Sequence, residues 1–208
     1  GIVGSNGSGK TTILKMILGQ VEATHGKIER SRDIEIGYLP QEVVLISGRS
    51  LIDEVLRDYN EIVDKLQILE KLMAQGSIQN DERLQQYGEL QHKFEMVGGW
   101  AIKAKALKIL AGLGFEESEI EKPIESFSAG WQMRIQLARI LLGEPNFLIL
   151  DEPTNHLDIE SIAWFEEYLD GFPGAMLLVS HDRIFLNHVL DATRGHKGIL
   201  ECENGKVK

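Results

Sequence analysis

Cysteine is almost missing from this chain. Cys202 stands alone among 208 residues, so no intrachain disulfide can form and the composition suits a reducing compartment. Long apolar runs are missing too. Phe147–Leu150 and Ala175–Val179 have the length of buried strands, far short of the roughly 20 residues that a bilayer-spanning helix needs. No charged-then-apolar leader opens the sequence. Nor is there a basic patch: 22 Lys and Arg face 32 Asp and Glu, a formal net charge of −10. Proteins that grip bare nucleic acid draw affinity from phosphate neutralisation, so this balance argues against a general DNA or RNA binder. What is present, 43% hydrophobic and 26% charged residues, suits a globular unit with one good core and a smaller appendage.

Along the chain, Gly1-Ile2-Val3 reads as a short strand feeding a glycine-rich loop, and upstream strands are expected in a longer parent protein. A helix follows from Lys10 to about Leu18, with Ile13, Leu14, Ile17 and Leu18 on one face, ended by Gly19. Gly26-Lys27-Ile28-Glu29 and Ile34–Leu39 read as short strands. The middle changes texture. Ile52, Val55, Tyr59, Ile62, Leu66, Leu69 and Met73 step by three and four, an a/d seam. Gly76-Ser77 breaks it. A second run carries Leu84, Tyr87, Leu90, Phe94 and Val97 up to Gly98-Gly99. Residues from about Ser50 to Val97 are therefore expected to form two long antiparallel helices turning near Gly76, and a third helix covers Ala101 to Leu113. From Ser128 an α/β alternation returns: helix Ala129–Leu142, strand Phe147–Leu150, helix Ile159–Leu169, strand Ala175–Ser180, then a hairpin turning at Asn204-Gly205.

Two motifs carry chemistry on their own. Gly4-Ser5-Asn6-Gly7-Ser8-Gly9-Lys10-Thr11 matches G-x-x-x-x-G-K-[ST], placed between strand and helix. Glycines let backbone N–H groups point inward at phosphate oxygens, at the positive end of the helix dipole. Lys10 reaches the β- and γ-phosphates, the Thr11 hydroxyl ligates Mg²⁺, and Thr12 completes an ATP-binding set running from Gly4. The second is Phe147-Leu148-Ile149-Leu150-Asp151-Glu152, an apolar strand ending in two carboxylates beside that loop. Asp151 is expected to hold Mg²⁺, mainly through water, and Glu152 to polarise the attacking water as general base. An acidic pair at a strand end is by itself more often a solvated terminus. The phosphate loop is what tips the reading towards catalysis.

With these motifs in place, Asp151-Glu152-Pro153-Thr154-Asn155-His156-Leu157-Asp158 resembles the Walker B and D-loop of ABC ATPases, in the form typical of ABC-F proteins. Ser180-His181-Asp182-Arg183-Ile184-Phe185-Leu186 resembles their switch segment, and implies that His181 contacts the γ-phosphate. Tyr38-Leu39-Pro40-Gln41-Glu42 resembles the Q-loop, with Gln41 near Mg²⁺ and the attacking water. Phe127-Ser128-Ala129-Gly130-Trp131-Gln132-Met133-Arg134 resembles the signature motif. Alone, His181 would read as an ordinary histidine and Gln41 as a loop amide; five motifs in family order raise both. Ala129 stands where the family has glycine, while Ser128 can still cap the helix, and Gly130 still offers an N–H to an anion. The family's adenine-stacking aromatic falls upstream of Gly1.

The resemblance implies an α/β P-loop core with a mixed sheet, built from residues 1–46 and 121–208, and an inserted helical subdomain or arm over 47–120. It implies hydrolysis of ATP with Mg²⁺, catalysed by Glu152, His181 and Gln41, with Thr11, Gln41 and Asp151 around the metal. Ser128, Gly130 and Asp158 would complete a composite site with a second ABC cassette, from the same parent chain or another copy. An ABC-F cassette of this kind is cytoplasmic, does not enter the membrane and acts on the ribosome, regulating translation or displacing an antibiotic. Two other assignments share the core: a transporter ATPase subunit, disfavoured by Asn155-His156 and Trp131, and a chromosome-maintenance ATPase, whose inserted coils are far longer than this hairpin. The acidic lean of the arm does not suit gripping rRNA; Lys103, Lys105 and Lys108 are the nearest to a basic stripe.

Overall fold

A computed structural model describes residues 1–4, 7–42, 48–74, 81–96, 98–190, 200–203 and 206–207. A six-stranded sheet forms the frame, with strands β1 (Ile2–Gly4), β2 (Ile36–Leu39), β3 (Phe147–Asp151), β4 (Ala175–Val179), β5 (Leu200–Glu203) and β6 (Lys206–Val207) in the order β2-β3-β4-β1-β5-β6. All neighbours run parallel except β5 and β6, so the mixed sheet expected from the sequence is present. Register carries Ile149 opposite Tyr38 on one side and Leu177 on the other.

Side-chain alternation along the strands divides the core. Ile149, Val179 and Ile2 join Leu14 of helix α1 (Lys10–Ile17) in one apolar cluster. Leu148, Leu150 and Leu178 join a larger cluster with Leu137 and Leu141 of α6 (Ala129–Leu142), Phe165 of α7 (Ile159–Asp170) and Phe185 of α8 (Arg183–Val189). Cys202, on β5, is 1% exposed and belongs to the α1 side. Helix α8 is not foreshadowed by the sequence, where its segment resembles only a switch motif; Asp182 starts it by accepting from Ile184 and Phe185 N–H.

The helical stretch departs from a simple two-helix hairpin. Ser50 caps α2 (Leu51–Val55), accepting from Asp53 N–H, and the chain breaks at Leu56 before α3 (Arg57–Ala74). The reason is burial: Leu51, Ile52 and Val55 lie in the main core, whereas farther along the seam Ile62, Leu66 and Leu69 are only half-buried. Helix α4 (Asp81–Met96) runs antiparallel to α3, with Tyr59 beside Phe94 and the Tyr87 hydroxyl on Glu70. Their seam is only partly covered, and Leu84 is 57% exposed, because two helices alone cannot enclose each other's apolar stripes. The expected turn at Gly76-Ser77 and the seam position Val97 lie outside the described residues. Gly98 and Gly99, both with positive φ, end this pair. A 3₁₀ turn over Gly99–Ala101 leads into α5 (Ile102–Gly112), one residue later than expected.

Residues 26–29 form no strand. Ile28 is 46% exposed, with no strand pairing to it among the described residues, and β2 starts at Ile36 rather than Ile34. Among the described residues, no helix is long and apolar enough to cross a membrane.

Candidate functional site

A cavity of about 470 Å³ opens where β1, β3 and the switch segment end, lined by Gly7, Gly9, Lys10, Thr11, Thr12, Gln41, Asp151, Glu152, Asn155 and His181. The topology explains this convergence, since parallel strands deliver their C-terminal ends to one edge of the sheet. Gly9 precedes α1 with φ 100 and no side chain caps the helix, which leaves its first N–H groups facing the cavity. At Gly4 a Cβ would lie 2.2 Å from the Cys202 carbonyl oxygen, so only glycine lets β5 and the loop approach so closely. Ser5 and Asn6 lie outside the described residues. The Ser8 hydroxyl is buried without a hydrogen-bond partner among the described residues, as expected of a group whose acceptor is a ligand oxygen.

Lys10, 8% exposed, donates from Nζ to the Gly4 carbonyl at 2.7 Å. The Thr11 hydroxyl donates to Asp151 Oδ2 at 3.0 Å, which puts a hydroxyl and a carboxylate side by side. Such hard oxygens suit Mg²⁺, which takes one or two protein oxygens and completes its shell with water and phosphate. Burial and the Asp151 charge together raise the Tyr38 hydroxyl above its ordinary pKa. Glu152 is 6% exposed and holds a backbone φ of 54. Its Oε2 accepts from His181 N–H at 3.2 Å. Its Oε1 lies 3.3 Å from His181 Nε2, yet without the alignment of a hydrogen bond. A buried carboxylate oxygen in that condition is placed to receive a proton from something entering the cavity.

The structure thus gathers Lys10, Thr11, Thr12, Gln41, Asp151, Glu152 and His181. It does not bring Ser128, Gly130 or Asp158 to them. Ser128 occupies the N-cap position of α6, but its side chain makes no cap bond, contrary to the expectation from sequence, so its hydroxyl and the N–H groups behind it are left for another acceptor. Gly130 packs against His156, whose Nδ1 would sit 3.3 Å from an added Cβ. Asp158 caps α7 through Ser161 N–H at 2.9 Å and pairs with Arg134 at 2.9 Å. Those contacts, the Ser161 bond first, lower its pKa to about 2. Asn155 lines the cavity, whereas the sequence marks it only as a family discriminator and not as a site residue; its place three residues after Glu152, on the same loop, is the available signal.

A family model described as ABC transporter matches residues 1–155. The chain belongs to the ABC transporter family. It is an ABC ATP-binding domain, and ABC-F members are among its relatives. It is 41% identical over 194 residues to the putative ATP-binding protein YdiF of Bacillus subtilis, covering 91% of this chain and 30% of that protein. It is 36% identical over 196 residues to ABC transporter F family member 5 of Arabidopsis thaliana, covering 91% and 28%. The ABC domain therefore spans about 30% of the length of these curated relatives. Its fold matches the dimeric ATP-binding cassette MJ0796 in a post-hydrolysis state bound to ADP and Pi, with a TM-score of 0.63 and 22% identity, over 100% of this chain and 82% of that one.

Proposed function

We propose that this cassette hydrolyses ATP to ADP and phosphate as one half of a two-cassette ATPase acting on the ribosome in the cytoplasm. The observation that carries hydrolysis is Glu152: a buried carboxylate with one oxygen lacking a hydrogen bond, at the cavity wall beside the Thr11–Asp151 pair. Gly4 to Thr12 take the phosphates, with Lys10 at the β- and γ-positions. Glu152 takes a proton from the attacking water, with Gln41 beside it and His181 towards the γ-phosphate. Thr11 and Asp151, with Gln41, would hold Mg²⁺, which supplies positive charge against the phosphate oxygens. Ser128 and Gly130, outside this cavity, face a nucleotide held by a second cassette in the parent protein or another copy. The ribosomal role rests on the resemblance to ABC-F proteins and on the F-family relative, and the α3–α4 pair within the 47–120 insertion serves as the arm.

The deciding experiment is Glu152→Gln in the intact parent protein, which keeps size and shape but removes the proton acceptor. General-base assistance is worth about a hundredfold to ten-thousandfold, so turnover falls within that range while ATP binding survives. The ATP-bound variant then co-sediments with ribosomes. Turnover equal to the parent's removes Glu152 as base. Blocked turnover without sedimentation leaves the ATPase and removes the ribosome.

A further inference from the structure

Arg134 lies outside the ATP cavity, yet it is 8% exposed and makes more polar contacts than a buried arginine on a helix interior requires. Its Nε donates to the His156 carbonyl at 2.6 Å. Its Nη1 reaches the Leu113 carbonyl at 3.0 Å, Asp158 Oδ2 at 2.9 Å and the Ser161 hydroxyl at 3.4 Å. The guanidinium lies 4.3 Å from the centroid of the Trp131 ring, and that ring packs edge-on against Phe115 at 4.9 Å. Planarity and five donors suit this multipoint grip in a way that lysine cannot match.

What is gripped is the loop that leaves Glu152. Pro153 and Thr154 are buried but Asn155 and His156 are exposed, so apart from the His156 contact with Gly130 packing does little to fix the second half of the loop. Within the loop, Asn155 N–H donates to the Glu152 carbonyl at 3.3 Å and Leu157 N–H to the Thr154 carbonyl at 3.1 Å. The stronger restraint comes from outside, through Arg134 on the His156 carbonyl and on Asp158. Any shift of the loop reaches both Asn155 at the cavity wall and the carbonyl of Glu152. We infer that Arg134 is a positioning residue for hydrolysis: from the signature helix it fixes loop 153–158, and through it Glu152 and Asn155, while the phosphate loop is untouched.

The catalytic half of this inference rests on the hydrolysis reading above; the structural half does not. The test is Arg134→Ala in the intact parent protein, followed by ATP turnover and by amide hydrogen exchange. Misplacing a reacting group by about 1 Å can cost about a hundredfold, so kcat falls roughly tenfold to a hundredfold, with KM for ATP within about threefold because the phosphate loop is unaltered. Millimolar guanidinium restores part of kcat by entering the slot between Trp131 and the two carbonyls; a protein that was merely destabilised would gain nothing from it. Exchange at residues 155–157 accelerates while exchange at 7–12 does not. Asp158→Asn keeps a capping oxygen but removes the charged partner; it accelerates exchange at 155–157 too, and serves if the alanine variant does not fold. Unchanged exchange at 155–157 in these variants overturns the inference, as does a kcat that stays at the parent's value. If the parent protein itself turns over no ATP, the hydrolysis reading fails instead, and exchange alone decides the clamp.

Discussion

At Glu152 the backbone adopts a left-handed conformation that non-glycine residues rarely hold, at a cost of about 1–3 kcal/mol, sustained by its N–H on the Val179 carbonyl at 2.8 Å and its carboxylate on His181 N–H. That turn aims the side chain at the cavity instead of along β3. The neighbouring Asp151 continues the strand, and its role is tested separately. Asp151→Asn keeps the hydrogen-bond acceptor for Thr11 but lowers the charge available to a metal through water. Affinity for Mg²⁺-ATP drops roughly tenfold to a hundredfold, as for loss of an outer metal partner, while metal-free nucleotide binding holds; fluorescent-nucleotide titration with and without Mg²⁺ reads both. Asp158 gives a pH signature. Its folded pKa lies below its ordinary 3.8, at about 2, so its stabilising contribution is complete above about pH 4 and disappears as pH falls towards 2. Its side chain is 54% exposed, which keeps the contribution modest through screening. Asp158→Asn flattens that part of the acid limb in urea-midpoint measurements taken between pH 4 and 2, and leaves the neutral-pH slope alone.

Elements meet at a charged knot below the arm. Glu54 of α2, whose side chain is 1% exposed, pairs with Arg49 at 3.2 Å, with Arg57 of α3 at 3.2 Å and with Arg139 of α6 at 3.6 Å. Arg139 in turn grips both oxygens of Asp58. Removing the one carboxylate leaves three guanidinium groups facing one another. Glu54→Ala is expected to cost about 2–4 kcal/mol, towards the lower end for a broken buried pair because Arg49 is partly solvated, read as a lowered urea midpoint. By contrast, Tyr87→Phe on the arm removes an exposed bond to Glu70 and changes stability by less than about 0.5 kcal/mol. The seam of small and large apolar residues foretold two antiparallel helices, and α3 and α4 are there. The break at Leu56 was not legible, because the periodicity of Ile52, Val55 and Tyr59 runs through it unchanged. Only contact with α6 distinguishes the buried end from the projecting one. Nor does the stripe of lysines on α5 survive as a uniform surface, since Lys105 is paired with Glu144 at 2.6 Å.

For the whole molecule, phosphate loop and signature segment do not share a cavity: Ser128 and Gly130 are not among the residues that line the one formed by Lys10 and Glu152. Under the two-cassette reading, the isolated 208-residue chain hydrolyses ATP slowly, with a rate per molecule that rises with protein concentration. A phosphate-release assay over a wide concentration range checks this, and a fast, concentration-independent rate removes the shared site.

The sequence alone picked out residues that the structure gathers at one cavity, because a glycine-rich loop and a strand-end acidic pair are patterns of fixed local spacing: Gly7, Gly9 to Thr12, and Asp151-Glu152 at the end of an apolar strand. It determined the strands β3 and β4 for the same local reason, since a continuous apolar run of that length has few other uses, although β4 is buried only at Leu178 and Val179. Tertiary structure decided what depends on partners distant in sequence. The 26–29 segment reads like a strand but pairs with none among the described residues. Ser128 sits where a capping serine belongs but leaves its helix uncapped. Asp158 is tied to Arg134, 24 residues away, a contact that its motif does not foretell. Spacing specifies which groups the chain carries, but hydrogen bonds and ion pairs between remote segments form only after the sheet and helices have packed.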